Sequence, residues 1–415
     1  MIFLFNNCTF VCHRQRDLIS KAFIKEKVGK EASFLIGLRR HLHANPELSE
    51  HEINTANYVS NLLNEWNIKH QTGIGGHGIT GLIEGKNPGK KVIALRADMD
   101  ALPITEENDV PYKSTNKGVM HACGHDVHMT CLLGAVKILN ELKNDFEGTV
   151  KFIFQPAEEL VPGGAYRMIN DGVLENPVPE VICAQHVFPD LEVGQLGFRS
   201  GLYMASSDEI NLHIKGKGGH AAIPDTYDNT ILAAAQILVN LNKVIAENKS
   251  KEIPTVLAFG RLIGDGACNL IPSEVTINGT FRTFDEKWRN VAHELIIQTA
   301  QQTAAAFGTN CEVVIDKGYP LLVNDAEVTE TARNAAIEFL GEENVCALEI
   351  RTTVEDFARY TQLIPGCFYR LGIANHSKGI TSNLHTSTFN VDEKSLEIGT
   401  GFMIWNALAQ LNTRK

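Results

Sequence analysis

Apolar residues recur at helical spacing early in the chain. Phe34, Leu35, Leu38 and Leu42 mark one amphipathic helix that stops at Asn45-Pro46, and Ile53, Ala56, Val59, Leu62, Leu63 and Trp66 mark a second. Short β-rich runs follow at Val92 to Ala97, Val150 to Phe154 and Val181 to Ala184. Helical stretches from about His128 to Leu142 and around Ala165 to Ile169 separate them. That alternation predicts an α/β domain with a helix-covered, mostly parallel sheet.

From about Met204 the pattern changes. Glu209 to Lys215 alternates like a strand, Asn229 to Ala246 is helical, and Thr255 to Leu262 and Glu274 to Arg282 read as strands. Glu286 to Ala306 is helical and Cys311 to Asp316 closes as a strand. The order βαββαβ is that of a ferredoxin-like α+β unit. Val328 to Leu340, Phe368 to Ile373 and a helix from about Glu393 to Leu411 then resume the earlier style. The expected organisation is an N-terminal arm at 1–16, a domain built from 17–203 and 318–415, and an inserted lid or dimerisation domain at 204–317.

Composition narrows the function. A formal charge of -11, with no long basic run, argues against nucleic acid and anionic membrane as partners. No apolar run reaches the roughly 20 residues of a membrane-spanning helix. The nine cysteines are odd in number and irregularly spaced, which fits a reducing, cytoplasmic setting better than a disulfide scaffold. Cys8, Cys12 and His13 lack a fourth metal-ligand partner. The run Gly73 to Gly78 is glycine-rich, but strand-like Ile79 to Glu84 follows where a dinucleotide loop needs a helix, so a turn is expected.

The chemistry gathers where strands end. Val92 to Ala97 leads to Asp98 and Asp100, Val150 to Phe154 leads to Glu158 and Glu159, and Val181 to Ala184 leads to His186. Ligands of open α/β sheets bind beyond the carboxyl ends of the strands, so these groups should converge. His121-Ala-Cys123-Gly124-His125-Asp126-Val-His128 adds a thiolate and imidazoles at a tight turn. Thiolate, imidazole and carboxylate together suit zinc, and a carboxylate-rich set also admits manganese or cobalt. Of the adjacent Glu158 and Glu159, one can bind metal while the other moves a proton.

Arg96-Ala-Asp-Met-Asp-Ala-Leu-Pro103, His121 to His128, Phe154-Gln-Pro-Ala-Glu-Glu159, Gly218-Gly-His-Ala-Ala-Ile-Pro224 and Leu384-His385 occur in order. Together they resemble the amidohydrolase branch of the M20 metallopeptidase family, over nearly all of the chain from Arg39 onward. The resemblance implies two divalent ions per subunit (zinc, manganese, cobalt or nickel) held by Cys123, His125, Glu159, His186 and His385, with Cys123 bridging. It implies Glu158 as general base and Asp100 as the carboxylate orienting a metal-bound histidine, with Asp98 competing for that role. His220 then donates to the oxyanion across a dimer interface, and Asn269 and Arg282 hold the substrate carboxylate. His41, His43, His70, His77, His213, His293 and His376 are left as surface or structural. The activity implied is hydrolysis of N-acyl amino acids, small molecules, to a carboxylic acid and a free amino acid. The competing readings are a dinuclear aminopeptidase or dipeptidase and a non-catalytic metal-binding protein.

Overall fold

The structure, a computed structural model, describes residues 19–413, so the expected arm and Cys8, Cys12 and His13 lie outside it. The chain forms two compact units. One runs to Gly201 and resumes over Val323–Glu349 and Arg359–Lys415; the other comprises Leu202–Leu322 and Ile350–Ala358. The sequence reading leaves Ile350–Ala358 with the first unit. Its place in the second follows from backbone pairing, with Ala205 N–H donating to Arg351 O at 3.1 Å and Arg351 N–H to Tyr203 O at 2.9 Å.

The first unit holds an eight-stranded sheet in the order His70–Ile74, Gly78–Glu84, Thr149–Gln155, Val92–Asp98, Val181–Glu192, Gly366–Ala374, Leu196–Phe198, Val345–Ala347. Its four central strands run parallel and the two at the His70 edge antiparallel. Every residue of Val92–Asp98 and Thr149–Gln155 is buried, as expected of strands covered on both faces. The glycine-rich run is the turn of the His70–Ile74 and Gly78–Glu84 hairpin. His125–Glu141 is buried along most of its length, with Lys394–Asn412 and Ala32–Ala44 packed on it.

A buried ion pair joins two of these helices. Arg39 Nε donates to Asp126 Oδ2 at 2.8 Å, and His43 Nδ1 lies 2.8 Å from the same oxygen. His43 is thus structural. Burial alone would raise the Asp126 carboxyl, but Arg39 and His43 outweigh it and hold it well below the usual carboxylate range. A carboxylate depressed by folding contributes stability above its unfolded pKa of about 3.9, and that contribution fades as pH falls below it. Asp126→Ala leaves buried Arg39 with only the more distant Glu393, 3.8 Å away, as counter-charge, so urea unfolding near neutral pH should show a loss of about 3 kcal/mol. A loss under about 1 kcal/mol would mean that the pair is solvated in the folded protein.

The second unit has a four-stranded antiparallel sheet in the order Thr255–Ile263, Glu274–Thr283, Ser206–Lys215, Asn310–Lys317. Helices Thr230–Asn248 and Glu286–Ala306 complete the βαββαβ order. Thr230–Asn248 is the one described helix long and apolar enough to span a membrane, and its Ala233, Ile237, Leu241 and Ile245 are buried in this unit's core.

Candidate metal centre

The register sets Arg96 opposite both Ala184 and Ile153, so Asp98, Gln155 and His186 come to one level across three neighbouring strands. Val181–Glu192 does not end before His186 but continues past it, held by its pairing to Gly366–Ala374. Cys123 and His125 flank Gly124, the residue before helix His125–Glu141, with φ +82°. A Cβ on Gly124 would meet Val187 Cγ2 at 2.4 Å, so both the dihedral and the space require glycine. Glu158 and Glu159 lie in a loop rather than at a helix start, since the next helix begins at Gly164.

These segments bring all five expected ligands together. Cys123 Sγ lies 3.5 Å from His186 Nε2 and 3.3 Å from His385 Nε2. Glu159 Oε1 is 3.3 Å from His385 Nε2 and 4.0 Å from His125 Nε2. Cys123 belongs to two donor sets, one with His125 and His186 and one with Glu159 and His385, each with ligand atoms within 4.8 Å of one another. His186 Nδ1–H donates to Val187 O at 2.7 Å, which leaves the Nε2 lone pair facing the thiol. His385 has φ +59°, uncommon for a non-glycine residue, and its N–H donates to Ala122 O at 2.8 Å.

The donor set fits a metal. His125 Nε2 and Glu159 Oε1 are buried without hydrogen-bond partners, an arrangement that is unfavourable unless a ligand completes it. Burial, with the charges of Glu159, Glu158 and Asp98, pushes the Cys123 thiol well above its usual range. Burial pulls His125 down, yet Asp98, Asp100 and Glu159 together carry it up to about 10. A divalent cation reverses both preferences by favouring thiolate and neutral imidazole.

The two aspartates have different partners. Asp100 Oδ1 is 3.2 Å from His125 Nδ1, and its Oδ2 accepts from Ser49 Oγ at 2.6 Å and from Glu159 N–H at 2.9 Å. Asp98 instead accepts from Arg96 Nη1 and His128 Nδ1, both at 2.6 Å. His128 Nε2 accepts from Val187 N–H at 2.9 Å, so both of its nitrogens are used. The sequence reading gave no role to Ser49 or His128. Their partners lie tens of residues away, out of reach of local spacing.

In the second unit, the short strand Gly219–His220 pairs with Leu270–Ile271, and Ala221 N–H donates to Asn269 O at 3.0 Å. His220 and Asn269 therefore share one exposed ribbon. That ribbon adjoins the Glu274 end of Glu274–Thr283, through Gly216 N–H donating to Ser273 O at 2.8 Å, whereas Arg282 lies at the other end opposite Ser207. At about 3.3 Å per residue the strand keeps them apart. Asn269 and Arg282, expected to hold one carboxylate together, do not meet within this unit.

Comparison with known proteins follows the same lines. The family model described as peptidase family M20/M25/M40 matches residues 94–405. The chain is 36% identical over 426 aligned positions to the IAA-amino acid hydrolase ILR1-like 5 of Arabidopsis thaliana, covering 100% of this chain and 94% of that protein. It is 39% identical over 306 residues to the N-acyl-L-amino acid amidohydrolase of Geobacillus stearothermophilus, covering 74% and 82%. The crystal structure of the YXEP protein of Bacillus subtilis, described as a dinuclear metal binding peptidase from the M20 family, superposes with a TM-score of 0.81 at 34% identity over 93% of this chain and 99% of that one.

Proposed function

The chain belongs to peptidase family M20/M25/M40, and on that premise we propose that it hydrolyses the amide bond of N-acyl amino acids with two divalent ions per subunit. The observation carrying this reading is the Cys123 thiol shared by two donor sets, beside a buried His125 Nε2 and Glu159 Oε1 that make no hydrogen bond. Cys123, His125, Glu159, His186 and His385 would hold the ions, which are zinc, manganese, cobalt or nickel by donor chemistry. When bound, such a pair supplies Lewis acidity to the carbonyl and the water.

The protein's own groups do the rest. Asp100, whose Oδ1 lies 3.2 Å from His125 Nδ1, is placed to orient that ring. Glu158, buried beside His125 and Glu159, takes a proton from the attacking water and returns it to the amide nitrogen, which leaves only once protonated. His220 donates a hydrogen bond to the oxyanion, and Asn269 and Arg282, which do not meet within one subunit, would bind the substrate carboxylate from different subunits. Free cysteines at all seven described positions support a cytoplasmic setting.

The substrate class is tested by measuring amine release from N-acetyl amino acids, benzoylglycine and unblocked dipeptides side by side. Turnover of the acylated compounds is expected. Faster cleavage of unblocked dipeptides would favour an aminopeptidase, and no cleavage with metal fully bound would favour a binding protein.

His220 is donated to the neighbouring subunit of a symmetric dimer formed through the second unit, and Asn269 travels with it on the same ribbon. Mixing inactive His220→Ala with inactive Glu158→Gln under subunit exchange should then restore up to about a quarter of wild-type activity, since one site of each mixed dimer is complete. No recovery despite exchange confirmed by mass would rule out the donation.

A further inference from the structure

Glu52 sits at the N-cap of helix Ile53–Glu65 but makes no side-chain bond to that helix. Glu47 caps it instead, accepting from the backbone N–H of Asn54 at 3.2 Å and of Thr55 at 2.8 Å. Glu52 is fully buried and its Oε1 accepts from Ala157 N–H at 2.7 Å. Two residues on, Glu159 N–H donates to Asp100 Oδ2 at 2.9 Å. Buried carboxyls from two separate segments thus grip the amides on either side of Glu158.

The gripped loop holds a conformation that it would not keep by itself. Ala157 has φ +49°, left-handed for a residue with a Cβ. Its carbonyl accepts from Gly164 N–H at 2.9 Å, and a Cβ on Gly164 would meet Pro156 O at 1.7 Å. The bend is therefore held at the Ala157 N–H by Glu52 and at its C=O by a glycine that no larger residue can replace.

We infer that Glu52 is a positioning residue for this reaction: its acceptor oxygen holds Ala157 in the left-handed bend that aims Glu158 at its proton-transfer position. The inference rests on the reading of Glu158 as the proton carrier. What the geometry shows Glu52 supplying is an acceptor oxygen, Oε1, to the Ala157 N–H, and glutamine keeps that acceptor while removing the carboxyl, whose pKa burial and then the charge of Asp100 push up to about 7.

Four variants test this, each with kcat, KM, bound metal and thermal unfolding measured on folded protein. Glu52→Leu removes the acceptor and Glu52→Asp withdraws it by one methylene. Both should lower kcat by about 10- to 100-fold, the scale of an ångström of misplacement, with KM within about threefold and metal content unchanged. Glu52→Gln keeps the acceptor and should recover kcat to within about threefold of wild type. If Glu52→Leu does not fold, Glu52→Asp set against Glu52→Gln gives the same reading. A residue with only a structural role would lower the unfolding temperature and leave kcat per folded site alone, and that result overturns the inference. Equal damage from Glu52→Gln and Glu52→Leu overturns it too. Glu158→Gln is run alongside: if it stays active the proton-carrier reading falls, whereas an inactive Glu158→Gln beside fully active Glu52→Leu and Glu52→Asp removes the positioning role alone.

Discussion

Exhaustive chelation, with metal content checked by elemental analysis, is expected to abolish turnover. Without metal the site holds a buried thiol between two imidazole nitrogens, with Glu159 Oε1 and His125 Nε2 4.0 Å apart and neither hydrogen-bonded, an arrangement that a cation makes favourable. Without the cation His125 is carried up to about 10, so it holds a proton at neutral pH that metal must displace. The sign follows: apparent affinity should rise with pH, and adding metal to the stripped protein in weak buffer should release protons. Cys123→Ser replaces a thiol that ionises on binding metal by a hydroxyl that stays protonated. It should weaken retention by more than the roughly 10- to 100-fold typical of losing an outer hydrogen-bond partner of a ligand. Undiminished hydrolysis by protein shown to be metal-free would overturn the assignment.

Glu158→Gln should separate chemistry from binding. Glu158 and Glu159 are adjacent, yet it is Glu159 whose buried Oε1, not hydrogen-bonded, lies 3.3 Å from His385 Nε2, as a ligand sharing an ion would. Glutamine at 158 preserves shape and hydrogen bonding but cannot take a proton. Turnover should fall by about 10² to 10⁴, the range for a lost general acid–base group, with KM and metal content nearly unchanged. Glu159→Ala should instead lose metal, and activity with it. The comparison is steady-state kinetics beside metal analysis on the same preparations. Interchanged phenotypes would reverse the two roles.

Much of the architecture was legible without coordinates because it depends on local periodicity. The strand Val92–Asp98 and the helix Glu286–Ala306 emerged within a residue of their expected limits, since an all-buried run and a 3.6-residue apolar repeat are properties of neighbours in sequence. The βαββαβ order of the second unit was readable for the same reason. Ligand types were legible too, because thiolate, imidazole and carboxylate chemistry belongs to the residue and not to its surroundings.

Partners, by contrast, depend on register and close approach. Spacing left Asp98 and Asp100 open, two positions apart on one segment. Only the approach of His128 and His125, both on helix His125–Glu141, gave Asp98 to His128 and Asp100 to His125. Val181–Glu192 runs past His186 because Gly366–Ala374, far along the chain, supplies hydrogen bonds that its own sequence does not announce. Glu52 carries no local signal beyond standing just before a helix, and its bond to Ala157 exists only because distant segments fold together. The sequence by itself determined which elements form and which side chains can do chemistry, since both are set by local composition. The tertiary structure alone decided which buried carboxyl meets which imidazole or amide, because inside a protein each polar group must find its partner in three dimensions.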